Sequence, residues 1–430
     1  MPKNATIWAD KQPARAPYPT LKTASKQDVV VIGGGLTGLS AALHLARAGR
    51  SVTLIEGCRI GFGGSGRNNG QVIPTLPAAE PDWIEEKFGE TGTRFVDLLQ
   101  NSASMLFDLV RAEGIECEAE QTGWFQPAHS PAHMRISAAR VAAWAKRGAP
   151  AQLLEHAEST ELLGSDKWYG GMLNPTGGHI NPLMFARGLA KTCVAAGVDI
   201  YENSPVQSVV RKGDHWQIST SNATITAHAI LLATNAYSGA LAPGLAPKIR
   251  RSFVPITSWQ LATEPLGDAQ RAGIIPARQA VSDTRGDLQY FRYDAQNRLI
   301  TGAGIIFKTT ARARLPAHVG ARLAYAFPQI GTPKFSHIWN GFVGITTDFF
   351  PRFHYLGPNY LGFLGYNGRG VALSIPLGRQ LALALTGTQE QDLAIPLTTP
   401  KTIPLHSIIR RLAPAALARY RWRDKRPPNL

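Results

Sequence analysis

The chain has 430 residues, 44% of them hydrophobic and 17% charged, with 42 Gly and 30 Pro, a length of two to three ordinary domains. That apolar share excludes a disordered chain, because enough side chain can be buried to offset the entropy of ordering the backbone. Its 45 Lys and Arg against 30 Asp and Glu leave a net +15, which suits nucleic acid, an anionic membrane or an anionic ligand and excludes none of them.

Cys58, Cys117 and Cys193 lie too far apart for a C-x-x-C pair, so neither a disulfide framework nor a metal site is expected, and a reducing compartment fits. Residues 1–26 lack the apolar core of a signal peptide. The most apolar stretch, Val29 to Ala46, is interrupted by Gly33, Gly34, Gly35, Gly38 and His44, so no transmembrane segment is expected and the chain reads as cytoplasmic.

In chain order, the β-branched run from Asp28 to Ile32 reads as a buried parallel strand that stops at Gly33-Gly34-Gly35-Leu36-Thr37-Gly38. Leu39, Ala42, Leu43, Leu45 and Ala46 have helical spacing, and Gly49 ends that helix. Ser51 to Glu56 completes a β-α-β unit. Helical periodicity dominates residues 90–150, and Asn181-Pro182 caps a helix through Ala195. Strand-like runs follow at Val206–Val210, Trp216–Thr220, Thr224–Ala233, Pro255–Ala262, Leu288–Tyr293 and Arg298–Gly302, separated by turn residues. A strand, a Gly-rich turn and a helix return from Tyr360 to about Leu385.

A Gly33-x-Gly35-x-x-Gly38 turn lets the backbone approach a pyrophosphate at a helix N-terminus. Glu56, which ends the second strand, can accept both hydroxyls of an adenosine ribose, and its charge repels a 2′-phosphate, so NADP is disfavoured. A second Gly-rich loop, Gly61 to Gln71, follows at once, and its Ser65, Arg67, Asn68 and Gln71 are more polar than flexibility requires. A third, Gly365 to Gly370, opens the late helix; aimed at the N1/C2=O edge of an isoalloxazine, its N-terminus would stabilise the charge of reduction. Three loops along one extended cofactor favour FAD over a nicotinamide.

These loops, together with Gly177 to Pro182, Tyr290-Phe291-Arg292-Tyr293 and Trp339-Asn340-Gly341, resemble the D-amino-acid-oxidase-type flavoproteins, and within them the gamma-glutamylputrescine oxidoreductase group. The resemblance runs over residues 15–425. It implies an α/β (α+β) fold: a Rossmann-like FAD-binding domain from discontinuous segments (1–90, 151–240 and 336–400) and a substrate domain with helices (91–150) and a mostly antiparallel sheet (241–335). Residues 401–430 form a basic helix or tail. The resemblance also implies pyrophosphate contacts at Gly33, Gly35, Thr37 and Gly38, ribose at Glu56, and flavin contacts at Ser65, Arg67, Asn68, Gly70 and Gln71. It places Val206 by the adenine, Ala233 and Asn235 near the pyrophosphate, and Gly368, Arg369, Gly370 and Val371 by the ring. Neither His nor Cys occurs from Gly61 to Gln71, so a dissociable flavin is expected. Ala372 stands where monomeric sarcosine oxidases carry a carboxylate-binding Lys, which weakens a sarcosine reading.

The implied activity is oxidation of a C–N bond: hydride transfer from the carbon beside a neutral amine to flavin N5, hydrolysis of the imine, and reoxidation by O2, giving H2O2, or by another acceptor. Gamma-glutamylputrescine leads as substrate, with cyclic secondary amino acids such as L-pipecolate as the alternative. Tyr290 and Arg292 alternate around Phe291 onto one sheet face, where Arg292 either grips a substrate carboxylate or is an arginine on a solvated face. His179 is either a base or a loop hydrogen-bonding residue. Trp259 and Trp339 either stack on the ring or are buried packing, and Cys58 reads as inert. A nicotinamide-dependent dehydrogenase or a flavin monooxygenase would need a second dinucleotide turn, and none is found. A non-catalytic basic flavoprotein binding nucleic acid or membrane is the remaining reading. From Lys401 to Leu430 there are eight basic residues against Asp424 alone, and Arg411, Leu412, Leu417 and Tyr420 fit an amphipathic helix lying on the body. Neither nucleic acid nor metal is expected to bind.

Overall fold

The computed structural model describes residues 5–10, 15–239, 244–305 and 310–424. Val29 to Ile32 alternate between two apolar clusters: Val29 and Val31 face one, Val30 and Ile32 the other. A strand buried on both faces requires covering layers on both sides, and this one lies inside a nine-stranded sheet. Strand Ser25–Ile32 pairs in parallel with Thr224–Leu232 on one side and Val52–Ile55 on the other. Asp199–Tyr201 extends the sheet beyond Val52–Ile55, and Tyr360–Leu364 extends it beyond Thr224–Leu232, both in parallel. A hairpin of Ser208–Lys212 and His215–Ser219 adds antiparallel strands.

Helix Leu36–Arg47 crosses between the first two strands. It packs on helix Gly370–Leu385, where a Cβ at Gly378 would stand 2.5 Å from Ser40, so the small residue permits the approach. Ser40 Oγ closes the contact on the Ile375 carbonyl at 2.7 Å. Asn181 caps helix Pro182–Ala195, its side chain accepting from the Met184 amide at 3.2 Å.

The second sheet has eight strands, ordered Phe335–Ile345, Val254–Pro265, Arg298–Gly304, Tyr290–Tyr293, Ala280–Ser282, Trp124–Pro127, Gly171–Asn174 and Gln152–Leu154. All its pairings are antiparallel except Ala280–Ser282 with Trp124–Pro127. Its apolar face buries Phe125, Val281, Phe291 and Leu299 against helix Ala311–Ala326.

The sheet memberships redraw the expected segments. Strands at 152–154 and 171–174, expected with the nucleotide-binding part, belong to the second sheet, as do Phe335–Ile345 and, within a stretch read as helical, Trp124–Pro127. Three of them are only three or four residues long, and what assigns them is pairing with distant chain rather than a local pattern. Among the described residues no helix is long and apolar enough to cross a membrane. The three cysteines carry free thiols.

Candidate active site

One cavity of about 260 Å3 runs from the first Gly-rich turn to the last. At its first end Gly33 has φ +116°, and a Cβ there would lie 2.9 Å from the Ala233 carbonyl, so strand and turn meet only through a glycine. Gly35, the N-cap of helix Leu36–Arg47, has no side chain to cap it, and the positive end of the helix dipole lies toward the cavity. Gly38 does not line it. A Cβ there would stand 2.1 Å from the Gly33 carbonyl, so its task is the packing of helix against turn. Gly38→Ala is therefore expected to displace the turn and yield protein with little bound flavin. The ratio of visible to ultraviolet absorbance after purification measures this, and wild-type occupancy would contradict it.

Glu56 lines the same end. Its carboxylate accepts from the Gly34 amide at 2.7 Å and the Cys58 amide at 2.8 Å, while burial pushes its pKa up. Behind it lies Glu202, whose side chain is fully buried. Glu202 pairs with Arg15 and with Arg59 at 3.0 Å, and accepts from the Ile60 amide at 2.7 Å, fixing the loop after strand Val52–Ile55. Sequence reasoning missed it; a Glu next to a strand end carries no local signal. Val206 and Ala233 also line this end, with Val206 packed beside Ile32 and Ile55.

The loop from Gly61 to Gln71 wraps the middle of the cavity. Ser65 Oγ accepts from the Leu36 amide at 3.0 Å, tying the loop to the first helix. Asn68 lines the cavity and also ties the loop together: Nδ2 donates to the Gly64 and Ser65 carbonyls at 2.9 Å each, and Oδ1 accepts from the Gly70 amide at 2.7 Å. Arg67 and Gly70 stand off the lining. The Arg67 carbonyl accepts from Trp339 Nε1 at 2.9 Å, and its guanidinium lies 5.9 Å from the Phe62 ring. Gln71 Nε2 donates to the Val281 and Phe291 carbonyls at 2.8 and 3.1 Å, which carries the second sheet onto this loop.

At the far end Gly368, Arg369, Gly370 and Val371 line the cavity, and helix Gly370–Leu385 begins there, again without a side-chain cap. Tyr366 OH meets Thr37 Oγ1 at 2.6 Å, joining both turns across 329 residues; the tyrosine was not foreseen. Arg369 is 8% exposed, and its guanidinium lies 5.0 Å from the Trp124 ring. Burial draws its pKa down to about 9, and nearby Arg140 adds repulsion. Among the described lining residues it is the one guanidinium, and Glu56 the one carboxylate.

His179, Tyr290 and Arg292 lie elsewhere. Arg292 is 1% exposed and donates from Nε to the Asn69 carbonyl, from Nη1 to that of Tyr293 and from Nη2 to that of Ile180, each at 2.7 Å. It is thus neither on a solvated face nor free for a substrate carboxylate: its fork pins the Gly61–Gln71 loop from behind. His179 Nε2 donates to the Arg278 carbonyl at 3.0 Å, so Nδ1 is the acceptor facing Arg292 Nη1 at 3.3 Å. Burial and two arginines hold its pKa well below 6.5; it is a neutral prop. Tyr290 OH donates to the Trp259 carbonyl at 3.2 Å, and burial raises its pKa. Trp339 is fully buried and meets Trp8 edge to face at 6.0 Å.

An FAD fits this lining. Gln71 Oε1, Asn235 Oδ1 and Arg369 Nη1 all belong to cavity residues and are buried without a hydrogen-bond partner. Unpaired buried polar atoms are costly, and a polar ligand along the cavity would satisfy them.

Known proteins agree with this architecture. A family model described as "DAO: FAD dependent oxidoreductase" matches residues 28–384. A "Probable oxidoreductase OrdL" from Rhizobium meliloti is 33% identical over 90% of each chain. The gamma-glutamylputrescine oxidoreductase of Escherichia coli is 31% identical over 87% of each. The crystal structure of L-proline dehydrogenase from P. horikoshii superposes with a TM-score of 0.70 at 20% identity, over 86% of this chain and 94% of that one. With the family model covering most of the first strand, all three Gly-rich loops and most of helix Gly370–Leu385, the chain belongs to the DAO family of FAD-dependent oxidoreductases.

Proposed function

We propose that the protein oxidises the C–N bond of an amine of the gamma-glutamylputrescine kind, using FAD held without a covalent bond and O2 or another electron acceptor. The observation that carries the reading is the single cavity joining Glu56 and the glycine turn to an unpaired buried guanidinium at Arg369. The likeness to gamma-glutamylputrescine oxidoreductase along most of the chain supports it.

Bound there, FAD supplies a hydride acceptor for the carbon beside the amine, and water hydrolyses the resulting imine. The protein's part is positioning and exclusion of water. Glu56 takes the ribose, both helix N-termini face the cavity, and Leu288, Phe342 and Val343 of the second-sheet side supply an apolar wall. Tyr290 and Tyr366 have pKa values raised by burial, so neither ionises near neutrality to act as a base. Selection of the uncharged amine then falls to a wall that disfavours an ammonium.

Arg369 also favours a second reading, a cyclic secondary amino acid such as L-pipecolate, because it could pair a carboxylate beside the amine. Anaerobic mixing with gamma-glutamylputrescine, putrescine and L-pipecolate separates them. Bleaching of the flavin by gamma-glutamylputrescine is expected; bleaching by L-pipecolate alone selects the second reading, and bleaching by NADH but no amine overturns both. Acid precipitation is expected to leave the yellow colour in the supernatant, since the loop Gly61–Gln71 offers no His or Cys and burial raises the Cys58 thiol pKa. Colour that stays with the pellet would show a covalent link.

A further inference from the structure

The C-terminal helix, His406–Arg423, faces the wrong way for one that only covers a core. Its inward contacts come from Leu417, lying against Gly304, from Tyr420 against Gly286, and from Arg421, whose Nε donates to Asp287 at 2.7 Å. Asp424, just past its end, accepts from the Gly286 and Asp287 amides at 2.8 and 2.9 Å. The docking is thus specific, yet no residue of the helix is buried. On the outward face Leu405, Ile408, Ile409 and Leu412 recur at helical spacing and are 73, 51, 40 and 63% exposed. The same face continues through Ala416 and Arg419 to Trp422, 54% exposed. So Leu412, expected to pack inward with Leu417, points out.

Two features border this stripe. The helix carries five arginines and no acidic residue, and Arg410, Arg411, Arg419 and Arg423 make no ion pair among the described residues. Beside them a groove of about 540 Å3 is lined by Arg250, Arg251, His406, Ser407, Arg410 and Arg411, again with no carboxylate in its lining.

We propose that this face docks on an anionic lipid bilayer. The aliphatic stripe enters the boundary of the acyl chains, the arginines reach lipid phosphates, Trp422 sits at headgroup level, and the groove takes a headgroup. Aliphatic side chains at the centre of the patch are the deciding feature. Nucleic acid would be met by cations with stacking aromatics, and four exposed aliphatics would gain nothing from it. A second copy would bring unpaired arginines against arginines, with no acidic residue on the helix to relieve them. Lys425 and Arg426, which add to the basic excess in the sequence, lie outside the described residues.

The test uses the full-length holoprotein and sedimentation with vesicles of phosphatidylcholine alone or mixed with phosphatidylglycerol. Binding to the mixed vesicles, at least about tenfold stronger than to phosphatidylcholine and weakened by salt, is expected. Ile408→Asp with Leu412→Asp, and separately Arg410→Glu with Arg411→Glu, should each reduce it about tenfold. These side chains are exposed, so the flavin spectrum and thermal midpoint should stay unchanged and report an intact fold. No binding to phosphatidylglycerol vesicles, binding retained by both variants, or self-association lost in the aspartate variant without any vesicle binding would each overturn the proposal. So would an oligonucleotide that binds where vesicles do not.

Discussion

Replacing Arg292 by methionine is expected to lower the thermal midpoint sharply and loosen the flavin, while leaving the KM of the flavin-loaded fraction nearly unchanged. The residue is 1% exposed, and its fork satisfies three carbonyls from residues 69, 180 and 293, each at 2.7 Å. Methionine matches much of the volume and donates nothing, so three buried acceptors lose their partners at about 1–3 kcal/mol each. Removing the guanidinium also removes its own desolvation cost, visible as a pKa drawn down to about 10. The net loss is then on the order of 3–5 kcal/mol. Lysine should not rescue it, because one ammonium cannot reproduce a planar fork reaching three directions. The Trp8 ring, 4.6 Å from the guanidinium, adds packing and itself donates from Nε1 to the Asn68 carbonyl of the loop at 3.0 Å. A substrate-gripping arginine behaves differently: the KM for a carboxylated amine rises and the thermal midpoint holds. Differential scanning fluorimetry with steady-state kinetics per bound flavin distinguishes the two, and a raised KM at constant midpoint would restore Arg292 to the substrate.

Much of the nucleotide-binding side was legible because its signals are local. The strand read at Asp28–Ile32 is Ser25–Ile32, the helix read from Leu39 begins at Leu36, and the Asn181 cap stands where the Asn-Pro pair put it. The DAO family follows from those residues and the later Gly-rich turn. What escaped depends on partners distant in the chain. Alternation correctly makes Arg292 a residue of a strand, but alternation says which face a side chain takes and nothing about what covers that face. Here the covering is the carbonyls of Asn69 and Ile180, 223 and 112 residues away. Trp124 shows the same limit. It sits in a four-residue strand inside a stretch read as helical, and its ring lies by Arg369, 245 residues later, while its indole donates to Ser282 at 2.7 Å. The basic tail divides likewise: charge was countable in the sequence, but only the structure turns Leu417 inward and Leu412 outward.

Arg369→Met is expected to slow reduction of the bound flavin by about 10²–10³-fold, the scale of losing one preorganised donor from a site of developing charge. The guanidinium is buried in the cavity wall with Nη1 unpaired, and no carboxylate lines that end. Keeping a cation there is expensive, as a pKa drawn down to about 9 shows. The cost is tolerable only if the site gains negative charge at some stage, and acceptance of a hydride brings that charge to the cofactor. The Trp124 face, 5.0 Å from the guanidinium, holds it in place without neutralising it. Removing it should therefore lower the flavin's reduction potential and slow reduction together, while adenosine-end binding through Glu56 persists. Arg369→Lys should recover part of both losses, since the charge returns without the fork. Comparing a carboxylated with a carboxylate-free amine decides what the cation serves. An equal loss for both assigns it to the cofactor, whereas a loss confined to the carboxylated amine assigns it to substrate. Unchanged reduction rates with both amines, at unchanged potential, would remove Arg369 from the chemistry altogether.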